Sequence, residues 1–382
     1  MVLADLHLTR STPRRITDDL ARFVTEHAGA RIVFAGDLFD LSAESPRVPR
    51  EHAVEETILA HPAARAALAR HADTGGELWF VGGNHDADVA APGFQGALTG
   101  ALGLSAEGKS RVRATPWFFR EGALHIEHGH RFDPDNAPAH PLVVGGKSLG
   151  VHFVEEFIAP TGAHAYLHAV GETPLKLFVS AFRWYGTRAP YVVYRYFRTA
   201  FAAMGMSGPF YDAGDEVELG QERIAWFAEE FGVTPEMVYA LLPLGAASTL
   251  ESLAQTFARL YFDRVIATVS IAGGLGAIAV GQRRAGAASV GFGALLMAAS
   301  WANGHNRFEG TVCDRLARGA ARITETTGAR LVVFGHTHRE AHDDGYANTS
   351  SFSFPGTAPG RPFLEIEGTP EMPRAVRRYW PQ

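Results

Sequence analysis

The fold of this 382-residue chain can be inferred outward from one stretch, Val33-Phe34-Ala35-Gly36-Asp37-Leu38-Phe39-Asp40. Its first half is apolar and rich in β-formers, which predicts a short buried strand. Gly36 ends that strand and leaves Asp37 at its carboxyl end, where ligands collect in open α/β sheets. A carboxylate at this place can reach two cations, one through each oxygen. An isolated Gly-Asp pair is usually an ordinary turn, so the interpretation depends on the other polar motifs of the chain.

Four further apolar runs each end in side chains that bind metals. They deliver, in order, Asp5-Leu6-His7, Gly82-Gly83-Asn84-His85-Asp86, His128-Gly129-His130 and Gly335-His336-Thr337-His338. Alternation along an extended chain would place Asp5 and His7 on the same side. Carboxylates with imidazoles suit Mn, Fe or Zn better than Ca or Mg. Five strand ends with such ligands predict one metal site.

The second of these motifs is the most specific, because each of its polar residues has a chemical use. Asn84 offers a neutral oxygen to a metal, His85 can act as an acid, and Asp86 can hold the His85 ring. Asp40 lies one turn beyond Asp37, so we expect it to accept a hydrogen bond rather than bind a metal directly.

The ordered set D-x-H, G-D-x-x-D, G-N-H-D, H-G-H and G-H-T-H resembles the calcineurin-like metallophosphoesterases, over about residues 1–140 and 318–370. The resemblance implies an α/β fold, specifically a four-layer α/β/β/α sandwich with a large, mostly helical insertion. It implies a catalytic role for His85, with Asp86 orienting it. It also implies that Asp37 bridges two metals, the first bound by Asp5, His7, Asp37 and His338 and the second by Asp37, Asn84, His128 and His336.

The function implied by the resemblance is metal-dependent phosphoester hydrolysis, in which a water bridging two divalent ions attacks phosphorus. We expect Mn, with Fe or Zn as alternatives. A phosphodiester or pyrophosphate substrate, including a lipid-linked one, is favoured over a monoester. The family members that hydrolyse UDP-diacylglucosamine are distantly similar, but they tend to have Asp where this chain has His130 and often have Arg where it has His85.

Two alternatives remain at this point. One is a cytosolic phosphomonoesterase that acts on nucleotides or phosphoproteins, and the other is a non-catalytic metal-binding scaffold. A net charge of −6 gives no electrostatic case for nucleic acid as a partner. The single Cys313 excludes intrachain disulfides and thiolate metal clusters. Residues 1–30 show no secretory signal, so we expect a cytoplasmic or membrane-associated protein.

The resemblance implies a core of residues 1–140 and 318–382, separated by an insertion of residues 141–317 that does not match the family core and that we expect to act as a cap or to associate with a membrane. Thr234-Pro235 is a helix start within this insertion. Two apolar runs, 265–281 and 285–302, flank Gln282-Arg283-Arg284 and have nearly the length that spans hydrocarbon. We favour a membrane hairpin packed through small residues, with buried core helices as the alternative.

The insertion also contains a mixture of aromatic and basic residues. This composition suits a membrane-surface helix or a cap over an anionic substrate, and the alternative is an aromatic core with solvated arginines. The residues are Phe178, Phe182, Trp184, Tyr185, Tyr191, Tyr194, Tyr196, Phe197, Lys176, Arg183, Arg188, Arg195 and Arg198.

Overall fold

A computed structural model describes residues 1–44, 49–163, 174–304, 307–308 and 310–381 of the chain. The side chains of residues 50–51 and 174–178 lie outside this description, and with them the aromatic and basic side chains noted at Lys176 and Phe178. The chain is a mixed α/β protein, which confirms the predicted fold class. It forms two compact units: unit 1 is Met1–Val151, Ala213–Ser248 and Cys313–Gln382, and unit 2 is His152–Asp212 and Thr249–Val312. Residues 213–248, inside the predicted insertion, therefore belong to unit 1.

The described strands all lie in unit 1 and form two sheets. They are β1 (Val2–Leu3), β2 (Arg31–Ala35), β3 (Glu77–Val81), β4 (Val112–Thr115), β5 (Phe118–Glu121), β6 (Leu124–Glu127), β7 (Leu331–Phe334), β8 (Ala341–Asp343), β9 (Tyr346–Asn348), β10 (Arg361–Thr369) and β11 (Met372–Trp380). The first sheet has the order β11-β10-β1-β2-β3-β4, and the second has the order β5-β6-β7-β9-β8. In the first, β1 to β4 are parallel, and Val33 pairs with both Val2 and Trp79. In the second, β6, β7 and β9 are parallel.

The rest of the described chain contains α-helices joined by turns and loops. The helices up to the first boundary between the units are α1 (Arg14–Glu26), α2 (Arg50–Leu59), α3 (Pro62–Asp73), α4 (Phe94–Leu102), α5 (Ala106–Ser110) and α6 (Leu149–Phe153). The later ones are α7 (Ala159–Thr161), α8 (Pro174–Tyr185), α9 (Ala189–Gly205), α10 (Gly214–Glu222), α11 (Ile224–Phe231), α12 (Pro235–Leu241), α13 (Leu253–Arg259), α14 (Phe262–Ala279), α15 (Arg283–Ala302) and α16 (Thr311–Thr327). The predicted helix start is confirmed, since the Thr234 side chain accepts a hydrogen bond from the Met237 amide at the start of α12.

The core of unit 1 has two apolar layers. One lies between the sheets, where Val2 and Ala35 of the first sheet cluster with Ile126 and Val333 of the second. The other lies on the opposite face of the first sheet and is lined by side chains of α1, α3 and α4 together with Phe34, Phe80 and Phe352. These layers bury β2 on both faces from Ile32 to Ala35, which is why this part of the strand is continuously apolar.

Two apolar helices of unit 2 match the predicted runs. The helices α14 and α15 are long and apolar enough to cross a membrane, by length and composition alone. Only 22% of the apolar window of α14 and 17% of that of α15 are buried. The alternative of two buried core helices is therefore not what the structure shows.

A histidine in unit 1 should make stability depend on pH. Burial, and then the charge of Arg131, lower the pKa of His140 to about 4, and its Nδ1 accepts a hydrogen bond from the Leu142 amide. The unfolded chain binds this proton at higher pH than the folded one, so the contribution is complete above about pH 6.5 and is lost as pH falls towards 4.

We therefore expect His140→Asn, whose side-chain oxygen can still accept from Leu142, to flatten the rise in unfolding free energy between about pH 4 and 6.5 by roughly 1–2 kcal/mol. Urea denaturation at a series of pH values measures this slope. A slope equal to that of the unsubstituted protein would contradict the assignment.

Candidate metal centre

Asp37 lies where β2 ends, as predicted, and its carboxylate has two different environments. Its Oδ1 accepts a hydrogen bond from the His85 amide at 2.9 Å, and its Oδ2 lies 3.1 Å from His128 Nε2. Gly36 is required here, because its φ is +86° and a β-carbon at that position would lie 2.4 Å from the His128 ring. The turn after β2 therefore places the Asp37 carboxylate against the end of β6.

The side chains of Asp5 and His7 lie close together, as predicted, but the predicted cause, alternation along a strand, is wrong. Strand β1 ends at Leu3, so strand alternation does not align them. Instead the segment follows the turn after β2: the Asp5 amide donates to Gly36 O at 3.2 Å, and the His7 amide donates to Asp37 O at 2.9 Å. Both residues have positive φ, 55° and 51°, which directs their side chains to one place.

The first group of potential ligands contains Asp5, His7 and His338. Asp5 Oδ1 lies 3.1 Å from His338 Nε2 and 3.8 Å from His7 Nε2, and the two Nε2 atoms are 3.1 Å apart. Asp5 Oδ2 accepts from the His336 amide at 3.0 Å, whereas the buried Oδ1 has only the two imidazole nitrogens beside it and no well-aligned hydrogen bond to any described residue. A buried carboxylate oxygen that converges with two imidazole nitrogens fits a divalent cation of the kind that binds N and O ligands.

The second group contains Asp5, Asp37 and His128, with Asn84 beside it. The Nδ1 of His128 faces the Ala35 carbonyl at 3.0 Å and can donate to it, which leaves the lone pair on Nε2. A metal-binding histidine is commonly oriented in this way by a backbone carbonyl. The His128 Nε2 atom lies 3.2 Å from Asn84 Oδ1 and close to Asp37 Oδ2. Burial lowers the pKa of His128, but the Asp37 carboxylate outweighs it and raises the pKa to about 9, so a cation bound at Nε2 would replace a proton.

His336 lies beside these groups, although its ring nitrogen has another partner. Its ring centroid is 5.2 Å from that of His128, and its Nε2 lies 3.0 Å from Asp133 Oδ2. Sequence reasoning assigned no role to Asp133. Its position in the turn that follows His128-Gly129-His130 is the only sequence signal that could have found it. Asp133 also accepts a hydrogen bond from the Asn136 side chain at 2.7 Å.

The carboxylate that holds the His85 ring is that of Asp40, so the predicted role of Asp86 is wrong. His85 Nδ1 lies 2.7 Å from Asp40 Oδ1 and 3.0 Å from Ser42 Oγ. Burial lowers the pKa of His85, but the carboxylates of Asp40 and Asp37 outweigh it and raise the pKa to about 10. His85 is therefore an imidazolium at neutral pH in the metal-free chain, and its ring lies 4.8 Å from that of His7 between centroids.

Asp86 instead fixes the backbone of the site. Its carboxylate accepts from the amides of Asp37 and Phe39, both at 3.2 Å, and from the Gly83 amide at 2.7 Å. Burial, and then the charge of Asp37, raise the pKa of Asp86 to about 7. Asp86 thus joins the turns after β2 and β3, which hold the metal ligands.

Backbone strain is concentrated among the predicted ligands. Within the described part of the chain, seven residues other than glycine have positive φ, and five of them are Asp5, His7, Asp37, His336 and His338. Such conformations cost about 1–3 kcal/mol each and persist only where surrounding contacts enforce them. The strain supports a functional role for these turns.

A second glycine allows Asp37 to approach the turn after β3. A β-carbon at Gly83 would lie 2.1 Å from Asp37 Oδ1 and 2.6 Å from the Asp37 amide nitrogen. We expect Gly83→Ala to displace the carboxylate and to weaken metal binding by roughly 10–100-fold, as the loss of a ligand's supporting contacts does. Isothermal titration calorimetry with the metal measures this change in affinity.

Gly96→Ala is the matched control, because a β-carbon at that position of α4 meets no atom within 4 Å. It should leave the metal affinity unchanged. Equal affinities for Gly83→Ala and Gly96→Ala would exclude the close approach as a determinant of the site.

Comparison with known proteins found no matching family model and no matching curated protein.

Proposed function

We propose that this chain is a dinuclear metal-dependent phosphoester hydrolase of the calcineurin-like type, acting on a phosphodiester or pyrophosphate. The observation that carries the proposal is the position of Asp37. Its Oδ2 lies 3.1 Å from His128 Nε2 in one ligand group and 4.0 Å from His7 Nε2 in the other. A carboxylate between two N and O donor sets is the arrangement that two adjacent cations require.

The packing of unit 1 supports the corresponding four-layer α/β/β/α architecture. Helices α1, α3 and α4 cover the first sheet, and the two sheets share one apolar cluster. In the proposed architecture, α16 would supply the fourth layer on the far side of the second sheet. A β-carbon at Gly319 of α16 would lie 2.6 Å from the Phe132 ring, whose centroid is 5.4 Å from that of Phe334 in β7.

The cations are expected to be Mn, with Fe or Zn as alternatives, because imidazole and carboxylate ligands dominate. Such a pair supplies an activated water and neutralises phosphate charge. The first would be held by Asp5, His7, Asp37 and His338, and the second by Asp37, Asn84, His128 and His336. For the second, Asp133 would orient the His336 ring through Nε2, as a carboxylate commonly does for a metal-binding histidine, and would leave Nδ1 for the cation.

The protein's own contribution to the reaction is made by His85. Its Nδ1 is fixed by Asp40, so its Nε2 is the nitrogen available to a substrate. In its protonated form the His85 ring could pass a proton from Nε2 to the oxygen that leaves phosphorus, which would make His85 a general acid. Asp40 stabilises the protonated ring, while Asp86 keeps the turns in register.

The test is hydrolysis of a bis-aryl phosphodiester and of an aryl phosphomonoester by the full chain. We would compare metal-stripped protein with protein reloaded with Mn, Fe or Zn. Activity that returns with two bound metals per chain, and that prefers the diester, is the expected result. Preference for the monoester would instead select the phosphomonoesterase.

Full metal loading without turnover of either ester would overturn the proposal and favour a metal-binding scaffold. Nuclease activity on DNA, with binding that falls steeply as salt rises, would instead identify nucleic acid as the phosphodiester substrate, against the expectation from the net charge.

A further inference from the structure

The hairpin of α14 and α15 in unit 2 is built with small residues inside and large apolar residues outside. Gly274, Gly286 and Gly293 are buried between the helices. A β-carbon on Gly286 would lie 2.5 Å from Gly274 O, and one on Gly293 would lie 2.6 Å from Ala267 O. The two backbones are therefore in direct contact, as in helix pairs that pack within lipid.

The outward face of this hairpin is apolar and strongly exposed. Val269 is 65% exposed, Val280 76%, Phe292 56% and Leu295 74%. A water-soluble hairpin would place such side chains between its helices and its glycines outside. Large exposed apolar surfaces indicate a binding partner. Because both helices of the hairpin expose such side chains, a partner that covers them must itself be apolar.

The distribution of charge indicates what that partner is. No charged residue occurs from 265 to 282 or from 285 to 302, and the tip carries Arg283 and Arg284. At a rise of about 1.5 Å per residue, 18 and 20 helical residues span about 27 and 30 Å. This matches the roughly 30 Å hydrocarbon core of a bilayer, with charge only at its two surfaces.

The base of the hairpin contains a cluster of cations around one tyrosine. The guanidinium groups of Arg264 and Arg307 lie 4.7 and 4.5 Å from the Tyr261 ring centroid. Asp263 is engaged by Arg307 through two contacts of 3.0 Å. Arg264 is only 4% exposed, and its buried Nη1 has no hydrogen-bond partner among the described residues. Positive charge is therefore concentrated at the base of the hairpin, where anionic lipid headgroups would lie.

Aromatic side chains of α9 continue this surface within unit 2. The Phe201 ring centroid lies 5.1 Å from that of Phe262 at the start of α14. Phe201, Tyr191 and Tyr194 are all exposed. Aromatic residues beside the base of an apolar hairpin resemble the belt that membrane proteins place at the level of lipid headgroups.

We propose that unit 2 anchors the protein by inserting the α14–α15 hairpin across an anionic lipid bilayer, with basic residues at its base and at its tip facing the headgroups. The proposal does not depend on phosphoester hydrolysis. It commits to lipid rather than to a second copy of the chain, because a protein partner would not require charge to be confined to two levels one bilayer apart.

The first test is flotation of the full chain with vesicles of phosphatidylcholine alone or mixed with phosphatidylglycerol. We expect binding to both and a larger bound fraction with phosphatidylglycerol at low salt. The double variant Leu275→Asp, Leu295→Asp should reduce the bound fraction about 50-fold or more, because each charge lies at mid-hairpin. The matched control is Val217→Asp, Leu219→Asp, which places the same charges on exposed positions of α10.

The competing occupant is tested by the oligomeric state without lipid. A soluble dimer that does not float, and that the Leu275→Asp, Leu295→Asp variant separates into monomers, would overturn the proposal in favour of an interface between copies. Equal loss of flotation in the hairpin variant and in the α10 control would also overturn it.

The depth of insertion is tested at the tip. A Gln282→Cys reporter in a Cys313→Ser background should resist a membrane-impermeant maleimide until detergent opens the vesicles. Labelling of intact vesicles would overturn insertion across the bilayer.

Discussion

Asp37→Asn should abolish phosphoester hydrolysis and bound metal together. Asp37 is buried between the two ligand groups, and its Oδ2 faces His128 at 3.1 Å. An amide keeps the size of the side chain but removes the negative charge that both cations share. Two-metal catalysis supplies several kcal/mol of stabilisation to the transition state, so we expect a loss of roughly 10³-fold or more in kcat. Steady-state kinetics and elemental analysis of the same sample measure both effects.

The matched control for this substitution is Asp343→Asn, which makes the same change on an exposed residue of β8. It should keep both activity and metal. Retention of two metals and of normal turnover in Asp37→Asn would exclude Asp37 as the shared ligand.

His85→Gln should lower turnover while keeping most of the metal. His85 Nδ1 lies 2.7 Å from Asp40 Oδ1. Among the potential ligand groups, His85 belongs only to the one that also contains His7 and Asp40. Loss of a general acid typically lowers kcat by about 10²–10⁴-fold. The decrease should be smallest for substrates whose leaving group is a weak base, because such a group needs no proton. Turnover of aryl phosphodiesters with a graded series of leaving groups measures this dependence.

A double-mutant comparison separates the proposed role from simple structural damage. Asp40 Oδ1 holds His85 Nδ1 at 2.7 Å, and its Oδ2 lies 3.7 Å from His7 Nδ1. Adding Asp40→Asn to His85→Gln should therefore cause little further loss of turnover in samples with the same bound metal. His342→Gln, at an exposed position of β8, is the control for the substitution itself. Equal losses for all leaving groups, or fully additive losses, would contradict a proton-transfer role.

The polar motifs could be recognised from sequence because each follows an apolar run and contains residues with little use in a core. Asp5, His7, Asp37, His128 and His338 were identified in this way, and the structure brings them together in two overlapping groups. The α/β class follows from the same runs, since a fully buried parallel strand must be apolar throughout.

Other features could not be read from local patterns. The alternation argument for Asp5 and His7 was wrong because their geometry comes from hydrogen bonds to the turn after β2, about thirty residues away. Asp86 was assigned to the His85 ring because it is adjacent in sequence, yet the ring turns to Asp40. Hydrogen bonds across such separations depend on how the strands are ordered, which no short motif encodes.

The class of fold, most of the potential ligands and the two long apolar helices could be predicted from residue type and spacing. Each of these features depends on the residues of one element at a time. Three features are visible only in the folded chain. Asp40 is the carboxylate that holds His85, and Asp133 contacts His336. The hairpin buries its glycines and exposes its large side chains. The physical reason is that each of these depends on which side chains face one another across separate elements, and that is set by the packing of the whole unit.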